Sequence, residues 1–498
     1  MDRRTFLACI GAAAPLTLPD GLRGLSAMAP QVAGRNPLRR IPDMSGRQLT
    51  LTAGPTRADV GVGVVDALTI NGMLPSPTIR LREGDAARID LVNELPEPTI
   101  LHWHGLAVPE AADGHPRLAI PPGATYRYRF DVEGPAGTYW YHPHTHMRTA
   151  AQTYRGMGGF LIVEGDEEAA HGLPSAEYEI PLLLQDKRLS STPSLDYAMP
   201  MGMGPDAMLG YLGNTAFANG IANPTLDVQR TRYRLRILNG STSRIFDLAL
   251  SSGDPLTMIG SDGGLLELPV RLERLTLAPA ERADVLVDFS GRRPGERIVL
   301  RSLPFEIPGM MMGMGMGMGR GMRGRMGRGA EGGVPLPQGA AMDLVEFVVG
   351  EGPVDTPPPV PARLRTLPAP ILGDAPARRT FPFDSMMMRH TIGGRTFDLE
   401  RVDARVRLGE PEIWTYVNGS GLPHPVHVHG GQFRVLLRSG GRGRVMPWES
   451  GLKDTVLVLP GERVDVAVRF VHPGLFLMHC HNLEHEDSGM MLNFEVLA

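Results

Sequence analysis

Polar and apolar residues alternate along this chain in short bursts, each introduced by a proline or glycine turn. Three bursts read alike: "IPPGATYRYRFDV" (120–132), "APAERADVLVDFS" (278–290) and "LPGERVDVAVRFV" (459–471). Period-two alternation after such a turn predicts a strand with one face buried. A second triplet precedes the first: "ARIDLVNELPEPTILHWHG", "YRLRILNGSTSRIFDLALS" and "EIWTYVNGSGLPHPVHVHG". Recurrence of both patterns in the same order predicts three homologous β-sandwich domains, over 45–165, 170–350 and 380–498. The Pro-rich stretch 351–379 reads as an extended linker. With Gly 61 and Pro 45 in 498 residues, turns are frequent enough for an all-β chain of many short strands.

The repeats differ in one respect. Taking Asn93, Asn239 and Asn418 as anchors, the positions nine and eleven residues on are His102 and His104, Leu248 and Leu250, then His427 and His429. Counting five and seven on from Gly137, Gly295 and Gly474 gives His142 and His144, Leu300 and Ser302, then His479 and His481. The outer repeats thus carry paired histidines at matching places and the middle one does not. Alternate residues of a strand face one way, so each H-x-H offers two imidazoles side by side. Eight nitrogens are too many for one ion and suit a metal cluster between the terminal domains. The rival reading is a set of unrelated zinc or surface histidines.

Cys480 lies between His479 and His481 and points to the opposite face. Its candidate partners are His424, His485 and Met490. One thiolate, two imidazoles and a thioether describe a blue-copper electron-transfer site. The only other cysteine is Cys9, in "MDRRTFLACIGAAAPLTLP", where Arg3-Arg4 and a short apolar run predict a twin-arginine export signal over 1–29. The alternative is a basic, unstructured N-terminus. Signal removal leaves one cysteine and no internal disulfide, in a periplasmic protein with no membrane anchor. The formal net charge of −4 gives no electrostatic footprint for nucleic acid.

The motifs "HWHG" (102–105), "WYHPH" (140–144), "HPVHVHG" (424–430) and "HCHNLEHEDSGM" (479–490) resemble the four copper motifs of the multicopper oxidases. The resemblance implies three cupredoxin domains and four copper ions. Type 1 copper would take His424, Cys480, His485 and Met490, and type 2 copper His102 and His427. The type 3 pair would take His104, His142, His144, His429, His479 and His481. The implied reaction couples one-electron oxidations of a donor to reduction of dioxygen to water. Asp113 and Glu486 resemble the proton-supplying acids of related bacterial oxidases.

An axial Met490 favours easily oxidised donors, Cu(I) or small electron-rich aromatics. The insertion at 309–328 interleaves methionine with glycine, and Met310, Met311, Met312, Met314, Met316 and Met318 form a candidate soft site for substrate Cu(I). Its rival is a low-complexity surface segment, whose Arg320, Arg323, Arg325 and Arg328 would repel a cation. "LLQDKRLS", "SDGGLL" and "LEHEDSGMM" are similar to stretches of the periplasmic copper efflux oxidases, and imply a role in copper tolerance. The chain departs from them in "NGSGLPH" (418–424), where Ser420 and Leu422 stand in place of an Asp and a Met that bind Cu(I). A laccase-like phenol oxidase is the nearest rival. A copper-sequestering protein or a copper-free cell-division scaffold is the rival from another class. The expected partners are dioxygen and a small reductant, and the expected state is a monomer.

Overall fold

The computed structural model describes residues 36–198, 204–308, 333–367, 372, 376–386 and 389–498. The proposed signal over 1–29 and the methionines of 310–318 lie outside them.

Among the described residues, six sheets form three sandwiches. The first joins a four-stranded sheet (Val64–Ile70, Gln48–Asp59, Ala86–Asn93, Thr125–Asp131) to a five-stranded one running from Asp43–Ser45 through Thr78–Arg82, Gly159–Glu164 and Gly137–Pro143 to Leu101–His104. The second has seven strands over five. The third has five over five, and in one of its sheets His424–Val428 lies between Gly474–Cys480 and Thr455–Val458. Each sandwich closes over its own apolar core, with Trp103 in the first, Leu235 and Phe246 in the second and Trp414 in the third, all fully buried. Fully burying such a side chain contributes about 1.5–3 kcal/mol, so alternation along these strands is what drives the sheets together.

The three anchor asparagines explain the repeat. Each ends a strand paired in parallel with an earlier one, Asn93 opposite Ala53, Asn239 opposite Leu184 and Asn418 opposite Phe383. Each then ties the following turn with the same bonds. Asn93 Nδ2 donates to Glu97 O and Ile120 O, Asn239 Nδ2 to Arg244 O and Leu277 O, and Asn418 Nδ2 to Leu422 O and Val458 O. Every Oδ1 accepts the N–H two residues on. A buried turn must satisfy its backbone groups internally, and one asparagine does so three times over.

Two connecting segments lie against the second sandwich. Leu38 N donates to Thr225 O and its side chain joins the second core, so the chain touches the middle sandwich before building the first. The Pro-rich linker, as far as it is described, lies along the second sandwich. Asp355 N donates to Arg230 O, Leu364 N to Glu267 O, and the Leu364 side chain is buried against Ile259, Leu265 and Leu286.

Candidate metal centre

The strands Leu101–His104 and Gly137–Pro143 pair with His102 opposite His142, and His424–Val428 pairs with Gly474–Cys480 with His427 opposite His479. Pairing register therefore sets the histidines side by side within each outer sandwich. In the middle sandwich the equivalent strands pair Leu248 with Ser302 and Leu250 with Leu300. The outer sandwiches then meet face to face. His102 stacks on His429 and His104 on His427, each with ring centroids 3.7 Å apart.

All eight rings are at most 1% exposed. Their nitrogens converge in groups that can hold a metal ion: His102, His104 and His142; His102, His427 and His429; His144, His429 and His479. His102 Nε2 faces His427 Nε2 at 3.3 Å, His144 Nε2 faces His479 Nε2 at 3.3 Å, and His429 Nε2 faces His479 Nε2 at 3.2 Å. The opposite ring edges are tied back. His102 Nδ1 donates to Asp113 O at 2.6 Å, His142 Nδ1 to Pro143 O at 2.9 Å, His427 Nδ1 to Asp454 O at 2.8 Å and His429 Nδ1 to Asp113 Oδ2 at 2.7 Å. With Nδ1–H so engaged, Nε2 of these rings carries the free lone pair. His104 is reversed: its Nε2 donates to Asp454 Oδ1 at 3.0 Å, which leaves Nδ1 free, 3.3 Å from His142 Nε2.

Burial, reinforced by neighbouring imidazoles, pushes His102, His104, His427, His429 and His481 well below the ordinary histidine range. Burial brings His142 to about 4 and His144 to about 3. Neutral imidazoles are what a metal requires. Both ring nitrogens of His481 and Nδ1 of His144 are buried with no protein partner. Lone pairs aimed at lone pairs, and buried nitrogens with no partner, are costly unless a cation lies among them. The residues fit a metal cluster.

The second group lies on the other face of the strand Gly474–Cys480. Cys480 Sγ is 3.5 Å from His424 Nδ1 and 3.6 Å from His485 Nδ1. Met490 is fully buried in the same core, and its carbonyl accepts from Cys480 N at 3.0 Å. Burial pushes the Cys480 thiol far above its ordinary range, which makes it inert until a metal displaces the proton. His424 Nε2 donates to Ser420 Oγ at 2.8 Å and His485 Nε2 to Met208 O at 2.8 Å. A thiol and two imidazole Nδ1 atoms converge, with the Met490 side chain buried in the same core, and this soft donor set fits copper.

Three successive carbonyls of the helical turn Pro205–Leu209, from the middle sandwich, serve the third. Ala207 O accepts from His390 Nε2, Met208 O from His485 Nε2 and Leu209 O from Asn482 Nδ2. His390 stacks on His485 with ring centroids 4.1 Å apart, so it supports a candidate ligand.

Of the two acids, Asp113 is fully buried and bonds two cluster histidines, one through its carbonyl and one through its carboxylate. Burial holds its carboxyl well above the usual range. Glu486 Oε2 lies 3.0 Å from His479 Nδ1, and Oε1 lies 3.7 Å from His144 Nε2. Neither oxygen has an aligned hydrogen-bond donor. Burial works to raise Glu486, but His479 and His144 beside it prevail and hold it low. Sequence reasoning missed Asp454 and Arg282. Arg282 aligns with Arg463 of the third repeat, whose side chain is 47% exposed, so the pattern alone gave it no distinction.

Family models of the multicopper oxidases match residues 54–168, 189–297 and 370–498. The multicopper oxidase mco of Staphylococcus haemolyticus is 31% identical over 436 residues, covering 86% of this chain and 84% of that protein. This chain belongs to the multicopper oxidases. A laccase of Haloferax volcanii is 36% identical over 428 residues, 80% of this chain and 67% of that one. The crystal structure of the McoA multicopper oxidase from Aquifex aeolicus superposes with a TM-score of 0.81, at 34% identity, over 93% of this chain and all of that one. The protein is a copper-dependent oxidoreductase of cupredoxin fold that uses dioxygen as acceptor.

Proposed function

We propose that this multicopper oxidase oxidises Cu(I), and small phenols more slowly, in periplasmic copper tolerance. The ligand sets carry the oxidase reading: His424, Cys480, His485 and Met490 for one copper, and the eight cluster histidines for three more, with His102 and His427 on type 2 and the rest on type 3. When bound, copper supplies one-electron oxidation at the first site and four-electron reduction of dioxygen to water at the second. The chain connects the two by the shortest available path, since Cys480 is bonded through backbone to both His479 and His481.

Protons must reach a site lined by neutral imidazoles. Glu486 is suited to bring them, because its carboxylate stands beside both His479 and His144. Asp113 has a second oxygen, Oδ1, without a partner and is suited to the type 2 side. Both are proposed relays.

The cover over His485 favours a small donor. Its outer nitrogen is engaged by Met208 O, so an aromatic ring has no direct approach to that edge. This arrangement supports Cu(I) over bulky phenols, the laccase-like alternative. The methionines of 309–328 are the proposed collector of the cuprous ion. The deciding measurement is dioxygen uptake by copper-loaded protein with Cu(I) and with a dimethoxyphenol, before and after deleting 309–328. We expect Cu(I) turnover to collapse and phenol turnover to hold or rise. Unchanged turnover of both donors means a laccase-like enzyme, and no uptake with either means a sequestering or scaffold protein.

A further inference from the structure

Among its described residues the middle sandwich supplies no member of either histidine centre, yet it supplies a fully buried guanidinium at the meeting point of all three. Every N–H of Arg282 is used. Nε donates to Thr138 O of the first sandwich at 3.0 Å. Nη1 donates to Ala280 O at 2.9 Å and Nη2 to Asp262 O at 3.0 Å, both within the second. The remaining two form a bidentate pair with Asp454 of the third, Nη1 to Oδ1 at 2.8 Å and Nη2 to Oδ2 at 2.5 Å. Asp262 holds the same segment by its backbone, its Oδ2 accepting from both Asp454 N and Thr455 N at 3.3 Å.

Asp454 faces the cluster. Its Oδ1 accepts from His104 Nε2, and its carbonyl accepts from His427 Nδ1. His104 and His427 are one of the two stacked pairs across the interface, so one residue fixes the tautomer and ring angle of a ligand from each outer sandwich. The space for this pair is set by Gly105, next to His104. A Cβ there would fall 2.3 Å from Asp454 Oδ2 and 2.8 Å from Arg282 Nη2. A bidentate guanidinium is a rigid planar fork, and an oriented carboxylate behind a ligating histidine governs both tautomer and basicity.

We propose that Arg282 and Asp262 of the middle sandwich are positioning residues for the cluster, acting through Asp454 on His104 and His427. The middle sandwich thereby sets how tightly the outer two hold metal without supplying a ligand. The proposal rests on the copper centre described above but concerns metal retention, not the choice of donor. Substituting one fork arm should weaken cluster copper and leave the Cys480 site, on the far face of its strand, intact.

The test is a chelator titration of copper-loaded wild type, R282M, R282K and D454N. Copper per chain, the electron paramagnetic resonance of the cluster and the blue thiolate absorption are followed together. We expect R282M and D454N to release cluster copper at chelator concentrations about 10–100-fold lower than wild type, with blue absorption unmoved. R282K keeps the charge but not the fork, and should fall between. D454N is isosteric, so it reports even where R282M fails to fold. Variants that titrate like wild type overturn the proposal, and so does joint loss of blue and cluster signals, which would make the pair a domain clamp only. Wild type that takes up copper only at Cys480 overturns the cluster reading as well.

Discussion

Ser420 shows how a single residue changes meaning between sequence and structure. In the sequence it marks a departure, standing where the copper efflux oxidases place a Cu(I)-binding acid. In the fold its hydroxyl accepts from His424 Nε2 and bonds the Asn418 side chain and Leu422 O, so it fixes the imidazole edge opposite Cys480. Removing the hydroxyl leaves a buried ring N–H without a partner and frees the ring to turn. S420A should therefore lower copper affinity at the Cys480 site by about tenfold and shift the blue absorption band, with the cluster copper unchanged. Competitive chelation followed at the blue band checks it. An unaltered band and midpoint would assign Ser420 to the turn alone.

At the scale of elements, the Asn-anchored turn is one device used three times. The middle copy separates its structural value from copper, because Asn239 leads to Leu248 and Leu250 and not to ligands. N239A strands the carbonyls of Arg244 and Leu277 and the amide of Ser241 in a buried turn. Each buried group left unpaired costs about 1–3 kcal/mol, so the variant should lose at least about 3 kcal/mol of stability in denaturant titration while keeping both copper spectra. A loss of spectra together with stability would mean that the sandwiches fold as one cooperative unit. Elements were also where the sequence spoke most clearly. Strand alternation, the three asparagines and the H-x-H pairs all follow from local spacing, and local spacing is what pairing register preserves. Asp454 and Arg282 were illegible for the converse reason. Their importance comes from the meeting of three sandwiches, 172 residues apart for the ion pair itself, and no period along the chain encodes that. The cover of His485 by the carbonyl of Met208, 277 residues away, was hidden likewise, since a backbone atom carries no residue identity.

For the whole molecule, the cost of the design falls on the metal-free state. Nine histidines of the two centres are held below the ordinary range by burial: His142 at about 4, His144 and His424 at about 3, and His102, His104, His427, His429, His481 and His485 well below. In the unfolded chain each takes a proton near 6.5. Below that pH the unfolded state binds more protons than the folded one, so stability must fall as pH falls. Each such histidine contributes about 1.4 kcal/mol per pH unit until its folded value is reached. Five buried carboxyls, Asp113, Glu281, Asp454, Glu484 and Asp487, are raised by burial and act in the opposite sense, since the folded state protonates them first. These nine, joined by His115, His146 and His390, which burial also lowers, outnumber the five and leave the histidines in control between pH 6.5 and about 4. The melting temperature of copper-free protein should therefore drop steadily from pH 7 to 5, and a flat or rising profile in calorimetry would contradict the protonation states assigned to the centre. A protein built around this many neutral imidazoles is stable in acid only to the extent that it stays neutral inside, and copper is the ligand that the buried nitrogens are arranged to receive.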